Sequence, residues 1–364
     1  MTAASIDPDK VAEHAMRFGV PVLESSITLI DRGHLYYRGH DAVELSRTRS
    51  VEEVASLIWT GRFDTKLAAT LAHGGGARAN RGRRSGPLEF PWRAQSMLAA
   101  QSLEDAAAYD LRPERVAATG WRIMRSLVRC AAQQSPAPAS GATPDEQLAH
   151  AWRVKARGTQ VVRAALILCA DHELNVSAFT ARCIASAAAN AYAVVIGGLS
   201  ALGGTRHGGM TIRVEAMLAS LHRERRPRPA LVERVRRGER IDGFGHPLYR
   251  DGDPRAIALL AMLRAYEPKS PELAFVERVA GVGAELTGEQ PNLDFALGAV
   301  SRVLGLPRGA GLTLFAIGRT IGWIGQAIEQ YATGQAIRPR ARYVGVTPAV
   351  SDSGIVPSLP SRST

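Results

Sequence analysis

Residues 309–328 read GAGLTLFAIGRTIGWIGQAI, and Arg319 is the only charged side chain in the stretch. Small and apolar residues stand three or four positions from it, on the same face of a helix: Phe315, Ala316, Gly322 and Trp323. The stretch therefore predicts a helix on which the Arg319 face is largely buried. A buried guanidinium needs an anionic partner, because an unpaired buried charge is very unfavourable. Two partners stay open: a carboxylate on another helix, or a carboxylate ligand held by two parallel hydrogen bonds.

The rest of the chain mostly repeats a helical pattern. Ser50 and Glu53 have the spacing of a capping box before VEEVASLIWT, and Gly61 is typical of a helix end. Beyond Gly61 the sequence is rich in Ala, Leu, Arg and Glu and shows no further alternating runs. Residues 21–40 do alternate, and they turn around Asp31-Arg32-Gly33. We therefore expect a mainly α fold with a short N-terminal β-hairpin.

Composition limits the functions that the chain can have. Its 364 residues suffice for one large domain or two moderate ones, and 45 Lys plus Arg against 34 Asp plus Glu give a formal net charge of +11. The cations are spread along the chain, so we expect no nucleic-acid partner. The three cysteines show neither metal-binding nor disulfide spacing, so we expect no metal ion and a cytoplasmic location. The N-terminus lacks the pattern of a signal peptide.

Residues 184–204, IASAAANAYAVVIGGLSALGG, carry no charge and have the length of a membrane span. The stretch is mostly Ala and Gly, however, and lacks the density of Leu, Ile and Phe that a lipid-facing helix needs. We therefore expect a buried core helix whose small residues allow close packing, and no membrane association.

Two histidines lie in polar or glycine-rich stretches that follow apolar runs. His172 stands in DHELNVS, where it either faces a polar cleft or belongs to an ordinary helix end next to the capping residue Asn175. His207 stands in GGLSALGGTRHGGM, where the glycines either end a helix or let the backbone approach a ligand closely.

The stretch RIDGFGHPLYRDGDPR places His246 on a glycine-rich turn. After it, Asp253-Pro254-Arg255 has the pattern of the N-cap, N1 and N2 residues of a helix. An arginine in a first turn opposes the helix dipole, which is easier to explain if Arg255 meets an anion there. In PNLDF, Asp294 also stands at the start of an apolar run, and an ordinary N-cap is the default interpretation of that position.

Taken in order along the chain, these stretches resemble those of the citrate synthase family. DHELNVS, GLSALGGTRHGG, GFGHPLYRDGDPR, PNLDF, LFAIGRTIGW and IRPRARYVG stand in the family's order, and ESSITLIDRGHLYYRGHD is similar to its opening hairpin. Each motif alone is modest, but six in the expected order are a strong signal. The similarity covers most of the chain and points to a divergent, bacterial-type branch.

The resemblance implies a set of site residues. His207 would hydrogen-bond the thioester carbonyl of acetyl-CoA, Asp294 would remove a methyl proton, and His246 would polarise the ketone of oxaloacetate. Oxaloacetate and citrate would be bound by His172, Arg255, Arg319 and Arg338. Positions near CoA would be Gly243, Gly245, Arg250 and Asn292.

These residue types suit the implied chemistry. A thioester α-proton is weakly acidic, so its removal needs a base and a stabilised enolate oxygen together. A dianionic oxo acid needs fixed cations, and the guanidinium fork of arginine matches a carboxylate. The implied enzyme is an acyltransferase of the tricarboxylic acid cycle, which converts acetyl-CoA, oxaloacetate and water to citrate and CoA without a further cofactor.

The resemblance also implies an almost all-α fold with two domains. A large helical domain would comprise residues 1–208 and 307–364, and a smaller inserted domain, residues 209–306, would close over the active site and exclude water. Arg338 would reach the active site of the partner subunit, which requires a homodimer.

Three positions depart from the usual family pattern. Arg206 replaces a leucine before the first catalytic histidine, Pro247 replaces an arginine after the second, and Leu297 stands where serine is frequent. Because Arg206 adds a cation beside His207, the acceptor could differ from oxaloacetate. Two alternatives to citrate synthesis therefore stay open. One is 2-methylcitrate synthesis from propionyl-CoA, or another pair of acyl-CoA and 2-oxo acid; the other is a weakly active regulatory protein that senses CoA or dicarboxylates.

Overall fold

The N-terminal hairpin forms where the alternating residues predicted it. In the computed structural model, β1 (Thr28–Asp31) pairs antiparallel with β2 (His34–Tyr37). The two turn residues, Arg32 and Gly33, both have positive φ, at 47° and 80°, which is the backbone hand that matches the twist of a tight hairpin. A short third strand, β3 (His40–Asp41), pairs with β2, so the sheet has one strand more than predicted.

The structure describes residues 23–73, 90–132, 141–224, 226–341 and 343–346. Within them, fifteen α-helices follow the sheet, which confirms the prediction of a mainly α fold. In chain order they are α1 (Ala42–Thr48), α2 (Val51–Thr60), α3 (Thr65–His73), α4 (Phe90–Glu104), α5 (Pro113–Ala132), α6 (Pro144–Ala151), α7 (Thr159–Leu168), α8 (Val176–Ser186), α9 (Ala191–Leu202), α10 (Gly209–Glu224), α11 (Pro227–Arg236), α12 (Pro254–Tyr266), α13 (Pro271–Thr287), α14 (Leu293–Val303) and α15 (Ala310–Thr333).

Helix α2 begins and ends at the predicted residues. The backbone N–H of Glu53 donates to Ser50 Oγ at 3.1 Å, and the backbone N–H of Ser50 donates to Glu53 Oε2 at 2.8 Å, so the capping box is confirmed. Gly61 ends the helix. The indole Nε1 of Trp59 donates to the backbone oxygen of Ile321 at 2.9 Å, which ties α2 to α15.

Helix α15 is the centre of the core, and residues 310–328 are all buried. It lies very close to the end of α7 because its glycines carry no side chain. A Cβ atom on Gly322 would stand only 2.3 Å from the backbone oxygen of Ala170. Arg319 is 1% exposed, so the prediction of a buried arginine face is confirmed.

The stretch 184–204 contains the end of α8 and all of α9, rather than one continuous helix. Helix α8 ends at Ser186 and α9 begins at Ala191, after Asn190, whose side-chain oxygen accepts a hydrogen bond from the N–H of Ala193 at 3.0 Å. The prediction of a single helix was wrong because a capping asparagine interrupts the uncharged run. Among the described residues, no helix is long and apolar enough to cross a membrane.

Residues 25–337 form one compact unit, which contains the sheet and every helix named above. The described residues 338–341 and 343–346 lie outside that unit. The division into a large domain (1–208 and 307–364) and a closing domain (209–306) stays a prediction.

Candidate active site

Distant parts of the sequence meet around one cavity of about 290 Å³. It lies between the ends of several helices, so its walls carry helix-terminal residues and connecting turns. Nine of the eleven residues that the sequence proposed for the site line this cavity: His172, His207, Gly243, Gly245, His246, Arg255, Asn292, Asp294 and Arg319.

The two remaining residues do not line the cavity. Arg250 is exposed on the turn before α12, and its predicted position near CoA stays a prediction. Arg338 is also exposed and lies outside the compact unit that contains the cavity. Its predicted role in the partner subunit stays a prediction as well.

The turn that carries His246 is fixed by the segment before α14. The N–H of Gly245 donates to the backbone oxygen of Gln290 at 2.9 Å, and the N–H of Asn292 donates to that of Gly243 at 2.9 Å. The Asn292 side chain adds a bond from Nδ2 to the Gly245 backbone oxygen, at 3.0 Å. Gly243 and Gly245 have positive φ, 89° and 77°, so these positions suit glycine.

His246 is a neutral imidazole whose tautomer follows from its surroundings. The backbone N–H of Leu248 donates to its Nδ1 at 3.2 Å, so Nε2 carries the proton. Burial and the nearby Arg255 guanidinium lower the pKa of His246 to about 4. The site therefore presents a neutral N–H donor at this position.

Asp253 and Arg255 open α12 as the sequence predicted, and they also form a buried ion pair. The guanidinium donates from Nε to Oδ1 at 2.9 Å and from Nη2 to Oδ2 at 2.8 Å. Oδ2 also accepts the backbone N–H of Leu293 at 3.0 Å, which connects the starts of α12 and α14. Burial opposes the charge of Arg255, but Asp253 outweighs that effect and raises the pKa of Arg255.

His172 is buried against the same turn. Its Nε2 lies 2.9 Å from the hydroxyl of Tyr249, and its ring stands edge-on to that of His246 at 5.2 Å between centroids. Burial, with the charges of Arg255 and Arg319, lowers the pKa of His172 well below its ordinary value. His172 thus faces the polar cleft, although Asn175 also caps α8 as the alternative interpretation required.

The imidazole of His207 is hydrogen-bonded to a serine. Its Nε2 lies 2.8 Å from Ser177 Oγ, and that hydroxyl donates to Asn175 Oδ1 at 2.9 Å. Burial and the charge of Arg319 lower the pKa of His207 to about 3. His207 is therefore neutral, like His246.

Asp294 is the second residue of α14, is half-buried and lines the cavity. Asn292, not Asp294, caps the helix through bonds from the N–H groups of Asp294 and Phe295, at 3.1 and 3.3 Å. The default interpretation of Asp294 as an N-cap was therefore wrong. Burial raises the pKa of Asp294 to about 6, although a 2.5 Å hydrogen bond from Thr211 favours its ionised form.

Arg319 forms no direct ion pair with a carboxylate of the described residues, although the sequence predicted an anionic partner for it. Its Nε donates to the backbone oxygen of Cys169 at 2.6 Å, and its Nη2 is buried without a hydrogen-bond partner. Burial lowers the pKa of Arg319. The buried carboxylate of Asp171 interacts with Arg319 electrostatically without a direct ion pair, so Nη2 could donate a hydrogen bond to an anionic ligand.

Two exposed arginines, Arg206 and Arg240, also line the cavity, and neither forms an ion pair with a described residue. The nearby carboxylate of Asp242 is bound by Arg213, with 2.8 Å between Nη2 and Oδ1. The wall therefore holds more unpaired positive than negative charge, which favours an anionic ligand.

Sequence reasoning missed four residues that hold the site together: Ser177, Thr211, Tyr249 and Asp253 in its role as partner of Arg255. All but Thr211 stood in stretches that the sequence had singled out. The partners of Ser177, Tyr249 and Thr211 are 30, 77 and 83 positions away. The described residues contain no group of three or more His, Cys, Asp or Glu side chains that could hold a metal ion.

Comparison with known proteins shows the family of this chain. The profile of the family described as "Citrate synthase, C-terminal domain" matches residues 16–340. The citrate synthase of Haloferax volcanii is 32% identical, over 90% of this chain and 94% of its own length. The 2-methylcitrate synthase of Mycobacterium tuberculosis (strain H37Rv) is 29% identical, over 95% and 93%.

Solved structures show the same fold. The crystal structure of citrate synthase from Thermotoga maritima superposes with a TM-score of 0.75 at 25% identity, over 91% of this chain and 95% of that one. Citrate synthase from Thermoplasma acidophilum, solved as a ternary complex with carboxymethyl coenzyme A and oxaloacetate, gives a TM-score of 0.76 at 23% identity, over 91% of this chain and 96% of that one. The predicted citrate-synthase-like fold is confirmed, and the chain belongs to the citrate synthase family.

Proposed function

We propose that this chain condenses an acyl-CoA with a 2-oxo acid. The leading reaction converts acetyl-CoA, oxaloacetate and water to citrate and CoA. The observation that carries the proposal is the meeting of Asp294, His207 and His246 around one cavity with Arg255 and Arg319. Membership of the citrate synthase family supports the same class of reaction.

Asp294 is the proposed base. With a pKa raised to about 6 by burial, its carboxylate is ionised at neutral pH but is more basic than an exposed aspartate. It takes the α-proton of the thioester, and the electron pair of the broken C–H bond passes toward the thioester oxygen. A neutral N–H from His207 would stabilise the negative charge that develops there.

Ser177 would set the tautomer of His207. A serine hydroxyl has one proton and can rotate, so it can turn from Asn175 Oδ1 to His207 Nε2, which is 2.8 Å away. Nε2 then accepts a hydrogen bond and Nδ1 carries the proton. Asn175 Oδ1 keeps a bond from the N–H of Ala178, at 3.2 Å, in this arrangement.

His246 would activate the second substrate. Its Nε2–H would donate to the ketone oxygen of the 2-oxo acid and make the carbonyl carbon more electrophilic. The enolate carbon attacks this carbon, a C–C bond forms, and the former ketone oxygen takes up a proton. Water then cleaves the thioester, which releases the carboxylic acid and the CoA thiol.

The carboxylates of the oxo acid would bind to arginines. Arg319 offers an unpaired N–H group, and Arg255 keeps part of its guanidinium free beside Asp253. Arg338 of the partner subunit would complete the site in a homodimer. Closure of residues 209–306 over the rest would exclude water during condensation. The reaction needs no cofactor beyond its substrates, and the cytoplasm is the proposed location.

The acyl donor has a second candidate. The similarity to a 2-methylcitrate synthase at 29% identity favours propionyl-CoA as an alternative to acetyl-CoA. One methylene changes binding by only about 1–3 kcal/mol, so one site can use both donors. Arg206, exposed on the cavity wall beside His207, is the departure that could also select a different oxo acid.

The experiment is an assay of thiol release from a panel of acyl-CoAs, each with and without a panel of 2-oxo acids. We expect release from acetyl-CoA only when oxaloacetate is present, and its loss in the variant Asp294→Asn. A higher kcat/KM with propionyl-CoA would identify a 2-methylcitrate synthase. Ligand binding by calorimetry without turnover of any pair would identify a regulatory protein and overturn the enzymatic proposal.

A further inference from the structure

The proposed base is held by a residue of another helix. The hydroxyl of Thr211, in the first turn of α10, donates to Asp294 Oδ1 at 2.5 Å, and Thr211 is 0% exposed. No described residue donates a hydrogen bond to Asp294 Oδ2, and Asp294 lines the cavity. The two oxygens of this carboxylate therefore have different surroundings.

We propose that Thr211 is a positioning residue, which fixes Oδ1 of Asp294 and leaves Oδ2 as the oxygen that removes the substrate proton. This inference rests on the proposed function. The bonds from Asn292 hold only the backbone at Asp294, so they do not fix the direction of its side chain. A carboxylate that rotates presents either oxygen to the substrate, and a misplaced base slows proton transfer.

Thr211 also favours the ionised form of the base, because a hydroxyl proton bonds more strongly to a carboxylate than to a carboxylic acid. Other groups act on Asp294 through space. Those on the cavity wall are His172, His207, His246, Asp253, Arg255 and Arg319, with Arg206, Arg240 and the Arg213-bound Asp242 on the same wall. None of them donates a hydrogen bond to the carboxylate, so Thr211 is the direct contact.

The test compares Thr211→Val, which removes the hydroxyl at nearly constant volume, with Thr211→Ser, which keeps it. The matched control is Thr313→Val on α15, where a buried hydroxyl donates only to the backbone oxygen of Gly309 at 3.0 Å. The kcat/KM for the acyl-CoA is measured from pH 5 to 9, together with the effect of a deuterated acyl group on kcat. Melting temperatures show how far each variant is destabilised.

For Thr211→Val we expect the acid side of the pH profile to move up by about one pH unit, since a hydrogen bond to a charged group has that magnitude. The kcat should also stay about tenfold or more below the wild-type value at pH 9. The kinetic isotope effect of the deuterated acyl group on kcat should be larger than in wild type. Thr211→Ser and Thr313→Val should keep the wild-type profile. A wild-type profile in Thr211→Val, or equal losses in Thr211→Val and Thr211→Ser, would overturn the proposal.

A second measurement does not depend on turnover. In protein labelled with ¹³C at the aspartate carboxyl carbons, the Asp294 signal is assigned by its loss in Asp294→Asn. Its titration midpoint should be higher in Thr211→Val than in wild type or Thr211→Ser, and an unchanged midpoint would contradict the role of Thr211. Absence of thiol release from the wild-type protein would instead contradict the proposed function, so the two failures are distinguishable.

Discussion

Asp253 and Arg255, two positions apart at the start of α12, form an ion pair with side-chain hydrogen bonds of 2.9 and 2.8 Å. The pair is buried, and the same carboxylate accepts the N–H of Leu293 at the start of α14. One aspartate therefore caps a helix, forms an ion pair with a buried guanidinium and connects the starts of two helices. The interpretation of Asp253 as an N-cap is confirmed, and the binding of an anionic ligand by Arg255 stays a prediction.

We expect Asp253→Ala to destabilise the protein strongly. It removes the partner of a buried Arg255, and loss of one member of such a pair costs about 3–5 kcal/mol. The free energy of unfolding, measured by urea denaturation, should fall by that amount. The matched control is Glu239→Ala, which breaks an exposed pair of the same spacing, with 2.7 Å between Arg237 Nε and Glu239 Oε1. Equal losses of unfolding free energy in the two variants would show that the buried ion pair stabilises the protein no more than the exposed one.

The activity should be lost on acidification through about pH 6. Asp294 acts as a base only when it is ionised, and burial raises its pKa to about 6, so the ionised fraction falls about tenfold per pH unit below that value. His246 and His207, with pKa values lowered to about 4 and about 3, stay neutral over this range, so their protonation does not contribute to the loss of activity. The kcat/KM for the acyl-CoA measured against pH checks this prediction. An acid limb centred below pH 5 would contradict the raised pKa of Asp294.

The sequence predicted features that depend on neighbouring residues. The capping box of Ser50 and Glu53, the turn at Arg32-Gly33 and the helix start at Asp253 each involve contacts within a few positions, so a local pattern contains the whole physical cause. Asn190 shows the limit of such patterns, because an uncharged run looked continuous although its capping side chain ends it.

Features that depend on distant partners were not predictable from one sequence. The partner of Arg319 was left open between a salt bridge and a ligand, and only the structure shows the bond to the Cys169 backbone with Nη2 unpaired. Thr211 carries no signal that links it to Asp294, which is 83 residues away. The resemblance to a family singled out nine residues that the structure places around one cavity, because a family resemblance contains spatial proximity that spacing alone does not.

We expect Arg319→Lys to weaken binding of the 2-oxo acid selectively. Lysine keeps the positive charge but loses the planar fork, so one charge-assisted hydrogen bond to the ligand is lost. The KM for the oxo acid should rise about 10- to 100-fold, with little change in the KM for the acyl-CoA. The matched control is Arg182→Lys on α8, a buried arginine bound to Gln326 and Gln330 outside the cavity. Equal effects of the two variants on the KM for the oxo acid would contradict this assignment.

Subunit sharing through Arg338 predicts complementation between two inactive variants. Arg338→Ala and Asp294→Ala proteins should each have little activity, because each lacks one part of every site. In a mixed dimer one of the two sites has both residues intact, so the purified mixed dimer should have about half of the wild-type activity. The two chains are coexpressed with different tags, the mixed dimer is purified through both tags, and thiol release is measured.

The matched control for this experiment is Arg340→Ala, because Arg340 is exposed two positions beyond Arg338 in the same segment. This variant should keep its activity and should need no complementation. If the purified mixed dimer is no more active than the sum of its two parents, Arg338 does not act across a subunit boundary. If no mixed dimer can be isolated through both tags, the homodimer itself is wrong, since an arginine that completes the neighbouring site requires a stable association of two copies.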